Sequence, residues 1–154
     1  MLKIGSVGKT VLILVLGLLS WAGPKFSLAQ QDRYEVHLDG HRLEVELAIT
    51  RQDRMRGLSG RTYLSENKGM LFIYQRKTPL RFWMSGMKMS IDLLWLDNDR
   101  VVGIEPDLSP PSPGQQPRMV FSPSPVDRVL EVRAGWAARH GIKPGALLKG
   151  PRKF

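Results

Sequence analysis

Six side chains stand where their types could do chemistry: Arg56, Arg61, Trp83, Met84, Asp92 and Glu131. Asp92 lies in the run IDLLWLD over residues 91–97. At a period of two it shares a face with Leu94 and Leu96, while Ile91, Leu93 and Trp95 take the other. Both faces are apolar, so the carboxylate is expected to be partly buried. An ionised carboxylate withdrawn from water has to be paired or hydrogen-bonded. Arg56, Arg61 and Arg81 are the nearest expected partners. Two readings follow. One is structural, an ion pair or a carboxylate accepting backbone N–H bonds. The other is an acid in a binding pocket, since perturbed carboxylates concentrate at sites. Glu131, in VDRVLEVR, is a second carboxylate, and either acid would suit a small hydrolase as general acid or base.

Phe82, Trp83 and Met84 alternate, which sends Trp83 away from its two neighbours. Trp83 either fills core or lines a pocket against a flat ligand. Met70, Met84, Met87 and Met89 suggest an adaptable apolar groove. As a copper site they would lack histidine support nearby. His37, His41 and His140 are expected to be exposed and unliganded, because a zinc site needs three or four ligands. Glu105 and Asp107, a carboxylate pair of the kind glycosidases use, border a proline loop and are expected to be solvated. Ser59-Gly60 and Ser85-Gly86 have no base at hand. No H-E-x-x-H, G-x-S-x-G or phosphate-cradling loop appears, so no catalytic residue, metal or cofactor is assigned.

The elements that must position these residues are mostly strands. Residues 33–39 and 41–49 alternate around Asp39-Gly40 and predict a hairpin, with Tyr34, Val36 and Leu38, then Leu43, Val45, Leu47 and Ile49, turned inward. Thr50 and Asp53 predict a helix start and Gly57 its stop, giving a short helix over 51–56. Residues 69–74, 81–84, 91–97, 100–105 and 126–133 predict strands, with Asn98-Asp99 as a second hairpin turn. Residues 134–140 predict one or two helical turns, Lys143-Pro144-Gly145 a turn, and the last five residues are expected to fray. Seven of the twenty residues in 106–125 are proline, which predicts a loop, either a lid or partner-binding strap or a stiff cover for a sheet edge. The fold class is therefore mainly β: a compact sandwich or partly closed barrel of about seven strands with two short helices.

Five segments, in this order, resemble the domain of unknown function 192 family. They are Arg56-Gly57-Leu58 with Arg61; Gly69-Met70-Leu71-Phe72; Phe82-Trp83-Met84; Ile91-Asp92; and Val129-Leu130-Glu131-Val132 with Ala134-Gly135-Trp136-Ala137. The resemblance spans about 35–145. It implies a mostly β and often exported domain, and implies no activity. The chain departs from the pattern at Ser85-Gly86-Met87, where the family usually has Lys-Asn-Thr. It departs again at Ser90-Ile91, where a proline usually precedes the aspartate, and at Ala146, where aspartate is common. An activity carried by the Lys-Asn pair would be lost or altered here.

Residues 1–29 carry Lys3, Lys9 and Lys25, no acid, and the apolar run VLILVLGLL over 11–19, ending in Ser27-Leu28-Ala29. This reads as a signal peptide cleaved after Ala29. The run is too short for a spanning helix, which needs about 20 apolar residues. No twin arginine precedes it. The remaining residues, 30–150 with a short tail, suffice for one β-rich domain. The chain charge of +9 falls to +6 without the three signal lysines, and its basic residues are scattered. A concentrated basic stripe is absent, so nucleic acid is not an expected partner. No cysteine is present for a disulfide, a thiolate site or a lipid anchor. The expectation is a monomeric, exported, non-enzymatic binding or accessory module of the cell envelope, periplasmic or secreted. It would have no stable membrane anchor after cleavage, and its ligand or protein partner is undefined. It would use a shallow cleft near Arg56, Trp83 and Asp92. The alternatives are the small hydrolase and a structural partner docking through the proline-rich loop.

Overall fold

The computed structural model describes residues 33–150. The signal peptide read over 1–29 lies outside the described residues. So does the tail expected to fray, Gly150 excepted. Nine strands and two helices follow in order: β1 (Arg33–Leu38), β2 (His41–Ala48), α1 (Arg51–Arg56), β3 (Lys68–Thr78), β4 (Arg81–Trp83), β5 (Ile91–Asp97), β6 (Arg100–Leu108), β7 (Met119–Phe121), β8 (Val126–Arg133), α2 (Trp136–Arg139) and β9 (Leu148–Lys149). Seven of them form one sheet in the order β6-β5-β8-β3-β2-β1-β9, and β4 pairs with β7 in a second. All pairings are antiparallel except β2 with β3.

Local chemistry accounts for the turns. Asp39 and Gly40 both have positive φ, 47° and 87°, as a tight two-residue hairpin demands. Thr50 caps α1 by accepting the Asp53 N–H, and the Asp53 carboxylate returns to the Thr50 backbone, completing a capping box.

The large sheet curls into a half-barrel, so the mainly β expectation holds in its barrel form. Its two edges approach one another through residues 99–101 and 145–148. The Val101 N–H donates to the Ala146 carbonyl at 2.9 Å, Gly145 to Val101 at 2.8 Å and Leu148 to Asp99 at 2.7 Å.

Both faces of the sheet are covered. On one, Val36, Leu43, Leu71, Leu94 and Leu130 pack with Trp136 of α2. On the other, Met70, Phe72, Leu93 and Trp95 pack under Leu58, Met84 and Val120. This double coverage explains why β5 is apolar on both sides: Ile91 to Leu96 are all buried. Ile49, expected inward, is exposed because β2 ends at Ala48 and the chain turns into α1.

The proline-rich segment is a loop over 109–118 and 122–125, as expected, with strand at 106–108 and 119–121. β6 runs through Pro106 to Leu108, and β7 lies within the segment. Composition misleads at Pro106, because that end of β6 pairs only with β5 and an edge strand tolerates a missing donor. Leu93 faces Glu105, but Ile91 faces Leu108, so one extra residue bulges from β6 around Pro106 and Asp107. β7 sends Val120 into the core, and Pro123 lies against Gly103 of β6. The segment therefore covers the sheet next to its edge. β9, absent from the sequence reading, is two residues long, too short for a periodic signal.

Candidate ligand-binding site

The strand registers place one row of side chains across four strands. Glu46 of β2 lies beside Met70 of β3, Met70 beside Glu131 of β8, and Glu131 beside Leu93 of β5. This row belongs to the face carrying Phe72 and Trp95. Above it opens a cavity of about 450 Å³, within the range of small-molecule sites. Glu131 and Phe72 form its floor, Leu58 and Met87 line its sides, and Trp83 and Arg81 of β4 stand at its mouth.

Glu131 is only 6% exposed, and its Oε2 has no hydrogen-bond partner. Burial pushes its pKa up to about 8, partly opposed by the charge of Arg61. At neutral pH the group is therefore a carboxylic acid with a hydroxyl to donate.

Arg61 is held elsewhere. Its two terminal nitrogens reach the Glu46 oxygens at 2.7 and 2.5 Å. That bidentate bond holds the Glu46 pKa below the usual carboxylate range and raises that of Arg61. Replacing Arg61 with Met should strand Glu46, which is 8% exposed, and cost about 2 kcal/mol in urea denaturation. The figure is reduced because Arg61 remains one-third exposed to screening solvent. Glu46 has a depressed pKa, so this contribution is present above its unfolded value of 4.5 and disappears on further acidification. The variant and the parent should therefore draw together in stability as the pH falls below 4.5.

Arg54 donates to the carbonyls of Ile49 and Ile73 and lies over the Tyr74 ring at 4.7 Å. Arg56 pairs with Asp53 at 2.9 Å. Both also line the cavity. Phe82 turns inward, edge-on to Phe72 and Trp95, while Trp83 is 59% exposed and Met84 is buried. The alternation read from the sequence is the one observed.

Asp92 is not part of this cavity. It lies on the opposite face, fully buried, and none of the arginines expected beside it is its partner. Its Oδ1 accepts the N–H groups of Asp107 and Gly135, and its Oδ2 accepts that of Ala137, each at 2.9 Å. The β6 bulge frees the first donor, and the start of α2 supplies the others. Gly135 has a φ of 75°, which turns its N–H toward the carboxylate. The structural reading of Asp92, as an acceptor of backbone N–H bonds, is the one the geometry shows.

The cavity thus unites Arg56, Trp83 and Glu131 from the sequence reading, with Met84 and Arg61 alongside and Asp92 apart. Phe72, Tyr74 and Arg54 escaped notice as site residues, since their spacing signals only core and helix. Elsewhere, His41 and His140 meet at 4.6 Å between ring centroids, and His140 stacks on Trp136 at 4.3 Å. They are partly buried rather than exposed, but no group of three metal-ligating side chains occurs among the described residues.

The sequence matches the family described as DUF192, "Uncharacterized ACR", over residues 34–150. The chain belongs to the DUF192 family. Two solved structures are similar. A Sinorhizobium meliloti 1021 protein, provisionally described as a transcription regulator, is 31% identical, covering 78% of this chain and 95% of its own, with a TM-score of 0.72. A Novosphingobium aromaticivorans DSM 12444 protein of unknown function is 28% identical, covering 80% and 89%, also at 0.72. No curated protein matches. The DUF192 resemblance carried by the five sequence segments is therefore confirmed across nearly the whole described domain.

Proposed function

We propose that this DUF192 protein is an exported, non-enzymatic binding module of the cell envelope that captures a small ligand in the cavity above Glu131. One observation carries this reading: a buried carboxyl oxygen without a partner borders a cavity large enough for a ligand. Leaving such a group unsatisfied costs about 1–3 kcal/mol, and a ligand that accepts its hydrogen bond recovers it. Thermal denaturation against a panel of metals, glycans and peptides tests the idea. A ligand at 100 times its Kd stabilises by about 2.7 kcal/mol, and Glu131→Leu should abolish the shift. A panel without any shift counts against binding. Export is supported by residues 1–29, and an intact mass that starts at Gln30 is the expected result.

The hydrolase reading keeps one support, since a carboxyl titrating near neutrality suits a general acid. Among the described residues no second carboxylate lines the cavity to complete a glycosidase pair. The docking reading rests on the exposed stretch 112–116 of the proline-rich segment, whose flanks alone pack on the sheet. A regulator's role, transferred from the Sinorhizobium protein, would call for a DNA-reading element. The described helices have six and four residues, short for a recognition helix.

A further inference from the structure

We infer that the cavity selects an organic anion, with its ring against Trp83 and its anionic head against Arg81. The inference rests on the cavity being a ligand site and adds the class of ligand. Among the described residues three guanidinium groups line the cavity, those of Arg54, Arg56 and Arg81, and Glu131 is the one acid. Glu131 is held neutral near pH 7 by burial, so it does not offset them.

The three arginines are not equivalent. Arg54 is fixed on two backbone carbonyls and Tyr74, and Arg56 on Asp53. Arg81 is exposed at the cavity mouth, without a hydrogen bond or ion pair among the described residues. It stands two residues from Trp83 on β4, so both side chains project from the same face of that strand. A fork of donors beside an indole suits an aromatic or alkyl carboxylate: the ring stacks and the guanidinium takes the carboxylate with two bonds. An ammonium ligand meets the reverse conditions, three positive charges and no anion. Clefts lined by one sign of charge concentrate the opposite sign.

Ionisation of Glu131 above about pH 8 adds a negative charge to the floor and should weaken the anion. The charged and titratable groups around that floor are Arg61 from the segment after α1, Arg54 and Arg56 from α1, Tyr74 from β3 and Arg81 from β4.

The test uses three probes with one ring system, 1-naphthaleneacetate, its neutral amide and 1-naphthylmethylamine, followed by quenching of tryptophan fluorescence and by calorimetry. The acetate is expected to bind at least tenfold more tightly than the amide, and the amine weakest. Arg81→Ala should bring the acetate down to the affinity of the amide, and Trp83→Ala should weaken both. Arg81 is exposed, so its variant keeps the fold. Equal binding of acetate and amide, unchanged by Arg81→Ala, overturns the anion class and leaves the cavity as a ligand site. Binding of no probe overturns the anion class, and the cavity itself is then judged by the thermal shift that Glu131→Leu removes.

Discussion

Asp92→Ala is expected to destabilise the domain by about 4 kcal/mol in urea denaturation, a large share of its total. The substitution strands three backbone N–H groups in the interior, those of Asp107, Gly135 and Ala137. Each stranded donor costs about 1–3 kcal/mol, against a typical total stability of 5–15 kcal/mol. Asp92→Asn preserves the volume but turns an amide N–H₂ toward one of the donors, and about half the loss is expected. The folded fraction of either variant should bind the naphthalene probes as the parent does, because Asp92 faces away from the cavity. A loss below 1 kcal/mol for Asp92→Ala would show that the three bonds are not what holds the β6 bulge to the start of α2.

Glu131→Gln should do the opposite at alkaline pH. In the unfolded chain this carboxyl ionises near 4.5, and in the folded protein at about 8. Between those values the folded chain keeps a proton that the unfolded chain has lost. Stability therefore falls as pH rises through that window and levels off above it. Glutamine has no proton to lose, so its profile should be flat there. At pH 9 it should exceed the parent by roughly 3–5 kcal/mol, with little difference at pH 4. Parallel profiles for parent and variant would sink the assignment of a neutral Glu131. The parent keeps a group that weakens its own fold above pH 5, the pattern expected where a residue is retained for binding rather than stability.

Much of the architecture was legible because it follows from nearest neighbours along the chain. The Asp39-Gly40 turn, the Thr50 capping box and the alternation of Phe82, Trp83 and Met84 are short-range chemistry. What was not legible depends on the pairing of distant strands. Asp92 and Glu131 are both acids in apolar strands, and sequence cannot say which face a helix will close. Register decides it: Glu131 falls in the row with Met70 and Leu93, whereas Asp92 falls under α2. Composition marks 109–118 as a loop, but it does not reveal that Pro106 sits in an edge strand.

The stitching of residues 99–101 to 145–148 has a consequence in time. Asp39 accepts the Leu147 N–H across a separation of 108 residues, and β9 joins β1 at a similar distance. Hairpins such as β1–β2 and β5–β6 can form as soon as their own residues are free, whereas this seam waits for residue 149. Contacts so remote in sequence slow folding, since the ends of a long chain must find each other. Until they do, β1 and β6 present open edges to any neighbouring chain. The interval before the seam closes is when the protein is most exposed to self-association.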